Sequence, residues 1–294
     1  MDNTSKLTVV VPALNEAHNL ESFLPELVTC CSQNGWEIIL VDDGSIDGTR
    51  EFLNQFPHPG NLKILRHKLN RGYGAALKTG IAACQTEYLI TIDADGQHAP
   101  DDIGKLLAAI TENEADLVVG SRKGSSTRSS YRGIGKSMIR TLAKILMTVP
   151  IYDLNSGMKI YRTDLAKSYF HLAPDTMAFS DILTLIFLNN RHLVLEIPIQ
   201  IRKRKHGESS IGLETAFHTV MEIINIMILF NPMKIFLPLS LLCLIVTAIW
   251  AIPLIIEGRG VSMGSMLGFI LGILLFLLGL IAEQLSQIRR NQQR

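Results

Sequence analysis

Several things are scarce in this sequence. Among its 294 residues there are four cysteines, Cys30, Cys31, Cys84 and Cys243. None falls in a CxxC pair or a His-linked zinc spacing, and two are direct neighbours, so neither a disulfide framework nor a structural zinc site is expected. Net charge is nearly absent, with 28 Lys plus Arg against 27 Asp plus Glu, which gives no global field for nucleic acid. Residues 1–6 are polar and lead straight into an apolar run. That start lacks the basic and apolar regions of a secretory signal, so the N-terminal domain is expected to stay inside the cell, in a reducing environment.

What is present begins as an alternation. Short apolar runs at Leu7–Val11, Glu37–Val41, Leu62–Leu65, Tyr88–Ile92 and Leu117–Val119 read as strands. Helix-like stretches lie between them, at Glu16–Cys30, Ala75–Ala83 and Asp101–Ile110. This βα order predicts an α/β domain, Rossmann-like, with a mostly parallel sheet covered by helices on both faces. Ligands of such sheets collect at strand C-termini. The polar, glycine-containing segments Asp42–Gly48 and Asp93–Gln97 fall directly after the second and fourth strands, which places the site before any motif is considered.

The C-terminal part is of another kind. Ile235–Ile256 and Val261–Ala282 contain no charged residue. As helices each would run about 33 Å against a hydrocarbon core of about 30 Å. Two buried core helices are the alternative, but a small soluble domain has little interior in which to hide them. The turn Glu257–Gly260 puts both flanks on one side, and Lys234, Arg289, Arg290 and Arg294 on those flanks predict a cytoplasmic catalytic domain. Gly264, Gly268 and Gly272 recur every four residues, which suits close helix packing or a homo-oligomer, with a chance spacing of glycines in a membrane helix as the alternative. Upstream, Leu213–Phe230 carries Glu214, His218, Glu222 and Asn225 near one face, as expected of a helix in the membrane interface or of a soluble core helix. The expected organisation is a catalytic domain over 1–210, a juxtamembrane helix over 211–232 and a transmembrane hairpin with a basic tail over 233–294.

The chemistry centres on Asp93-Ala94-Asp95-Gly96-Gln97, a strand end presenting two carboxylates one residue apart and an amide two residues further. Hard cations such as Mg²⁺ and Mn²⁺ take oxygen ligands of this kind, with substrate phosphates completing the shell. A plain solvated turn is the competing reading. The second acidic turn, Asp42-Asp43-Gly44-Ser45-Ile46-Asp47-Gly48-Thr49, offers a carboxylate to a nucleobase or ribose, while Asp47 is also placed to cap the following helix. Pro12-Ala13-Leu14-Asn15-Glu16 closes the first strand and opens a helix. Glu16 there is either an acceptor for a ribose hydroxyl or an ordinary acid of a helix N-terminus.

These segments resemble the inverting GT-A glycosyltransferases of family two, in the branch of dolichol-phosphate mannose synthases and bacterial polyprenyl-phosphate glycosyltransferases. The resemblance runs through PALNE, VDDGSIDGT, LNRGYGAALKTGI, DADGQ, GSR at 120–122, DLNSGMKIYR from Asp153 and RKHGESS from Arg204. It implies that Pro12, Ala13, Asn15, Glu16, Asp42, Asp43, Asp93, Ala94 and Arg122 line a nucleotide-sugar donor. It further implies that Asp93, Asp95 and Gln97 hold Mg²⁺ or Mn²⁺. Asp95, Arg122, Arg132 and Arg204 are the implied catalytic set, the arginines cradling phosphate oxygens of the donor and of a polyprenyl-phosphate acceptor. Relatives end the last motif with Ser-Lys where this chain has Ser209-Ser210, so Lys203, Lys205 or His206 would have to supply that contact. Asp181 stands where relatives commonly have Glu. The basic run Arg202–His206 also suits anionic lipid headgroups.

The implied reaction is a single inverting displacement. A phosphate acceptor with a second pKa of about 6 needs no strong base, so positioning and electrostatics dominate. An α-linked donor would give a β-linked lipid-phosphate sugar, made on a bacterial inner membrane. A processive polysaccharide synthase would need a QxxRW motif and further spans, neither of which is present. A catalytically silent membrane scaffold that binds nucleotide sugars, or transfer to another lipid acceptor, are the alternatives. Dinucleotide and phosphate-loop motifs fail, since Gly72-Tyr73-Gly74 lacks the later glycine and Gly135-Lys136-Ser137 has Ser130 where a glycine is required.

Overall fold

The computed structural model describes residues 5–122, 151–154, 156–202 and 231–292, with the isolated positions 221, 224 and 228. Arg132, Arg204, Ser210 and most of the expected juxtamembrane helix lie outside the described residues. The chain divides into two units, one carrying a sheet and the other the long apolar helices.

In the first unit, β1 (Leu7–Ala13), β2 (Glu37–Asp42), β3 (Leu62–Arg66), β4 (Tyr88–Thr91), β5 (Leu117–Ser121), β6 (Lys159–Arg162) and β7 (Val194–Pro198) form a seven-stranded sheet in the order β3-β2-β1-β4-β6-β5-β7. Helices α1 (Ala17–Asn34), α2 (Thr49–Gln55), α3 (Tyr73–Ala83) and α4 (Asp102–Glu112) link the first five strands, and α5 (Thr163–Tyr169) and α6 (Phe179–Asn189) precede β7. Every residue of β1 is buried, as expected of a central strand covered on both faces. Leu20, Phe23, Leu24 and Leu27 of α1 pack with Val9, Leu40, Ile90 and Ile103 in one core. Burial pushes the Cys31 and Cys84 thiols up to about 12, so both serve as apolar packing groups.

The sheet is mixed in one respect that matters. β6 runs antiparallel to both neighbours, pairing Thr91 with Lys159 on β4 and Val119 with Lys159 on β5. It therefore begins where β4 and β5 end, and the segment leading into it, around Asp153 and Gly157, is delivered to the strand C-termini. β7 then pairs parallel with β5, and beyond it Ile201 bridges back to His98.

In the second unit, α7 (Met233–Ile256) and α8 (Met263–Gln292) form a hairpin. Windows of both helices are long and apolar enough to cross a membrane, with only 11% and 17% of those windows buried. The glycine repeat faces the partner helix inside this hairpin. A Cβ at Gly264 would press on Trp250, one at Gly268 would overlap Thr247, and one at Gly272 would overlap Leu244. Ser240 Oγ donates to Gly272 O at 2.8 Å and Cys243 Sγ to Gly268 O at 3.4 Å, polar closures of the kind small residues permit between membrane helices.

Candidate active site

The loops after β1 and β2 are knitted together. Asp43 N donates to Ala13 O at 2.9 Å, Asn15 N to Ser45 Oγ at 3.0 Å, Ile46 N to Asn15 Oδ1 at 2.9 Å and Glu16 N to Thr49 Oγ1 at 3.0 Å. Asn15 takes a positive φ of 54°, a conformation asparagine tolerates better than most residues. Asp47 accepts from the first N–H of α2 at 3.0 Å and, with its other oxygen, from the first N–H of α1 at 3.2 Å, so it satisfies both helix starts. The Glu16 carboxylate accepts from Asn19 Nδ2 and remains partly exposed at the mouth of these loops.

Pro12 and Ala13 are buried at the strand end, and Asp42 and Asp43 are turned inward, 0% and 2% exposed. Asp42 Oδ1 accepts from Ser45 N at 2.9 Å and Oδ2 faces Arg50 Nε at 3.6 Å. Asp43 accepts from Arg71 N at 3.0 Å, from Gly72 N at 2.8 Å and from the His67 ring, whose other nitrogen meets Thr79 Oγ1 at 2.8 Å. In this arrangement Asp42 holds the turn after β2 and its following helix, and Asp43 ties that turn to the start of α3.

That bracing aims Tyr73. Gly72 and Gly74 lie so close to Pro174 and Asp175 that a Cβ at either would overlap their carbonyls. The phenol between them donates to Asp93 Oδ1 at 2.8 Å. Burial, reinforced by the Asp93 charge, holds Tyr73 well above its ordinary pKa, so it stays a neutral donor. Asp93 Oδ2 faces His98 Nε2 at 4.0 Å. Burial outweighs the pull of Asp93 and Asp95 and lowers the His98 pKa, leaving a neutral imidazole behind the turn. Its Nδ1 is buried with no hydrogen-bond partner among the described residues. On the third side stands Gly157, where a Cβ would overlap the Asp93 carboxylate.

Asp95 Oδ1 accepts from Gln97 N at 3.0 Å, closing the turn, and Gln97 O accepts from Arg202 N at 2.8 Å. Ala94 is buried between the two carboxylates, while Asp93, Asp95 and Gln97 are partly exposed. Arg202 also makes a two-pronged pair with Glu26, at 2.7 and 2.8 Å, so the basic run starts against the acidic turn. Among the described residues no group of three or more His, Cys, Asp or Glu could hold a metal alone. Two carboxylates and an amide oxygen fit a hard cation whose remaining ligands come from a diphosphate.

Arg122, at the end of β5, is committed to Asp153. Nε donates to Oδ2 at 2.7 Å, Nη2 to Oδ1 at 2.6 Å, and the Arg122 backbone N to Oδ2 at 3.0 Å. Although burial opposes it, Arg122 holds the Asp153 carboxyl below the usual carboxylate range. Glu196 of β7 anchors the same segment, accepting from Tyr152 N and Asp153 N at 2.8 Å each. Tyr73, Asp153, Gly157 and His98 carry no role in the sequence analysis and belong to the site only through the fold. Nothing in their spacing relates them to Asp93.

A mixed sheet with this strand order and an acidic turn at the end of β4 is the GT-A architecture. The comparisons are consistent with that fold: glucosyl-3-phosphoglycerate synthase from Mycobacterium tuberculosis in complex with Mn²⁺, UDP-glucose and phosphoglyceric acid superposes with a TM-score of 0.59 at 18% identity, covering 75% of this chain and 79% of that one. The same enzyme in complex with Mg²⁺ and UDP gives a TM-score of 0.59 at 17% identity over 75% and 79%. The chain belongs to glycosyl transferase family 2, whose pattern it matches over residues 8–170, and it matches the GtrB C-terminal hairpin over residues 231–288. It is 30% identical over 225 residues to the undecaprenyl-phosphate 4-deoxy-4-formamido-L-arabinose transferase of Edwardsiella ictaluri (strain 93-146). That alignment covers 75% of this chain and 65% of the relative, so the chain spans about two thirds of the length of the curated protein it matches.

Proposed function

We propose that this protein transfers a sugar from a nucleoside-diphosphate donor to a polyprenyl phosphate in the membrane. The observation that carries the reading is the presentation of Asp93 and Asp95, both partly exposed, at the end of β4, with Tyr73 holding one Asp93 oxygen and the other lying beside Gly157 and facing His98. The hairpin of α7 and α8 supplies the lipid side, since an isoprenoid tail does not leave a bilayer cheaply and the catalytic unit must work at the headgroup plane. The relative's undecaprenyl-phosphate acceptor, and the Mn²⁺ and Mg²⁺ complexes of the structural neighbour, support the same reading.

In this mechanism Asp93, Asp95 and Gln97 would hold Mg²⁺ or Mn²⁺, which would supply neutralising charge for the nucleoside diphosphate. Pro12, Ala13, Asn15 and Glu16 form the nucleotide side, braced from within by Asp42 and Asp43. Arg122 exchanges part of its contact with Asp153 for a phosphate oxygen, a planar guanidinium being suited to both partners. Arg132 and Arg204, outside the described residues, are the further cations that the family resemblance assigns to phosphate binding. The acceptor phosphate is itself the nucleophile, so the chain's task is to align it against the anomeric carbon for a single displacement, inverting an α-linked donor to a β-linked product. The basic residues flanking the hairpin support a cytoplasmic reaction under the positive-inside rule.

The test is incorporation of label into organic-extractable lipid by the purified full chain. It is run with undecaprenyl phosphate, radiolabelled GDP- and UDP-sugars and Mg²⁺ or Mn²⁺, beside an Asp95→Ala control. A product that requires both Asp95 and metal supports the reading and identifies the donor. Nucleotide binding without product from any donor overturns it in favour of a silent scaffold.

A further inference from the structure

Lys159, the first residue of β6, is 0% exposed, and its ammonium lies between the candidate site and α6. Its three donors are all used: Leu154 O at 2.5 Å, Ser180 O at 2.9 Å and Thr184 Oγ1 at 2.9 Å. A lysine ammonium has three donors and no acceptor, so this set is complete. Burying it is costly unless carboxylates compensate, and Asp181, Asp153 and Asp93 supply that compensation. Desolvation lowers its pKa from the ordinary lysine value against the pull of those charges.

The contacts made by Lys159 join the parts of the site that have no covalent reason to stay together. Leu154 adjoins Asp153, which grips Arg122. Gly157, two residues before Lys159, abuts the Asp93 carboxylate, and its carbonyl accepts from Thr91 Oγ1 at 3.1 Å. Thr91 is paired with Lys159 across β4 and β6. The segment that touches both Asp93 and Arg122 is thus pinned, through one buried cation, to the first two turns of α6.

We propose that Lys159 is a positioning residue for donor binding: without touching substrate, it fixes the Asp153–Gly157 segment against α6 and so sets Asp93 and Arg122 in the geometry the metal–diphosphate complex requires. This rests on the site assigned under the proposed function.

The test compares the full-length wild type with Lys159→Met, Lys159→Arg and Thr184→Val. Thr184→Val keeps the charge and removes one acceptor. Mn²⁺ binding in the presence of GDP or UDP is followed by electron paramagnetic resonance, with donor KM, kcat and thermal stability measured in parallel. Removing outer partners of metal ligands typically weakens metal affinity by about ten- to a hundredfold. The expected result is a loss of about that size for folded Lys159→Met, a rise in donor KM larger than the fall in kcat, and recovery to within about threefold in Lys159→Arg. Thr184→Val is expected to show a smaller loss in the same direction, and it carries the test if Lys159→Met does not fold. Wild-type Mn²⁺ and nucleotide affinity in folded Lys159→Met, or in Thr184→Val where the former is unfolded, overturns the proposal. So does a loss in every variant that merely tracks the unfolded fraction. If the wild type binds Mn²⁺ and nucleotide but labels no lipid, the transfer reading fails while the comparison still decides the role of Lys159.

Discussion

Arg122 and Asp153 form a two-pronged ion pair, Nε to Oδ2 at 2.7 Å and Nη2 to Oδ1 at 2.6 Å, reinforced by the Arg122 backbone N–H at 3.0 Å. The pair joins the end of β5 to the segment that enters β6, two stretches more than thirty residues apart. It keeps a cation at the strand C-termini without leaving its charge unbalanced. Arg122 remains 38% exposed, so solvent moderates the interaction on that side.

The pair predicts an acid dependence. Because the folded pKa of Asp153 is depressed below its ordinary 3.8, its contribution is present above that pH and is lost as pH falls through the lower folded value. Arg122→Gln is expected to lower stability at neutral pH by about 2 kcal/mol, a figure already reduced for the exposure of the guanidinium. Thermal melts of both proteins, taken from pH 6 down to about pH 3, should show this gap narrowing below about pH 4. A gap that persists unchanged in acid would mean that the pair is not its source.

Gly157→Ala places a methyl group against the Asp93 carboxylate, and either the carboxylate or the segment must move. Misplacing a reacting group by about 1 Å can cost about a hundredfold in rate. A loss of at least about tenfold in label transfer, with weaker Mn²⁺ binding, is therefore expected while the protein stays folded. Normal Mn²⁺ affinity would show that Asp93 does not depend on this approach.

Tyr73→Phe removes only the hydroxyl that donates to Asp93 at 2.8 Å. Stability should fall by about 1 kcal/mol, the usual net value of one hydrogen bond. The Mn²⁺ half-saturation for transfer should rise about tenfold, as for other outer partners of metal ligands. A metal titration of both proteins checks this, and coincident curves would remove Tyr73 from the site.

In the hairpin, Gly268→Leu must displace Thr247 or separate the helices. Overpacking of this kind costs about 1–3 kcal/mol, so the purified chain should melt at a lower temperature in detergent. Leu271→Ala, at a position 52% exposed on the same helix, should change little. Equal effects at the two positions would contradict the packing of the glycine repeat against α7.

The local rules of strand, turn and helix were legible along the chain. The runs that became β1, β2, β4 and β5 are apolar because those strands are largely buried, whereas the edge strand β3 is half-exposed and carries Lys63 and Arg66. Two uncharged stretches longer than a bilayer core likewise announce α7 and α8 by composition alone. The glycine repeat left close packing, an oligomer and chance spacing all open, and only the structure shows that it packs against Trp250, Thr247 and Leu244 of the same hairpin.

What the sequence determined by itself was the βα alternation through β5, the acidic turn after β4 and the membrane-length helices, while α2, α5, α6, β6 and β7 carried too little local pattern to be read from it. The tertiary structure alone decided what surrounds that turn. Asp93 meets Tyr73 and Gly157, Arg122 meets Asp153, and Lys159 reaches α6 because β6 inserts antiparallel between β4 and β5. Strand order is chosen by the burial of the whole sheet, and no periodicity within a single segment encodes which distant strand will lie beside it.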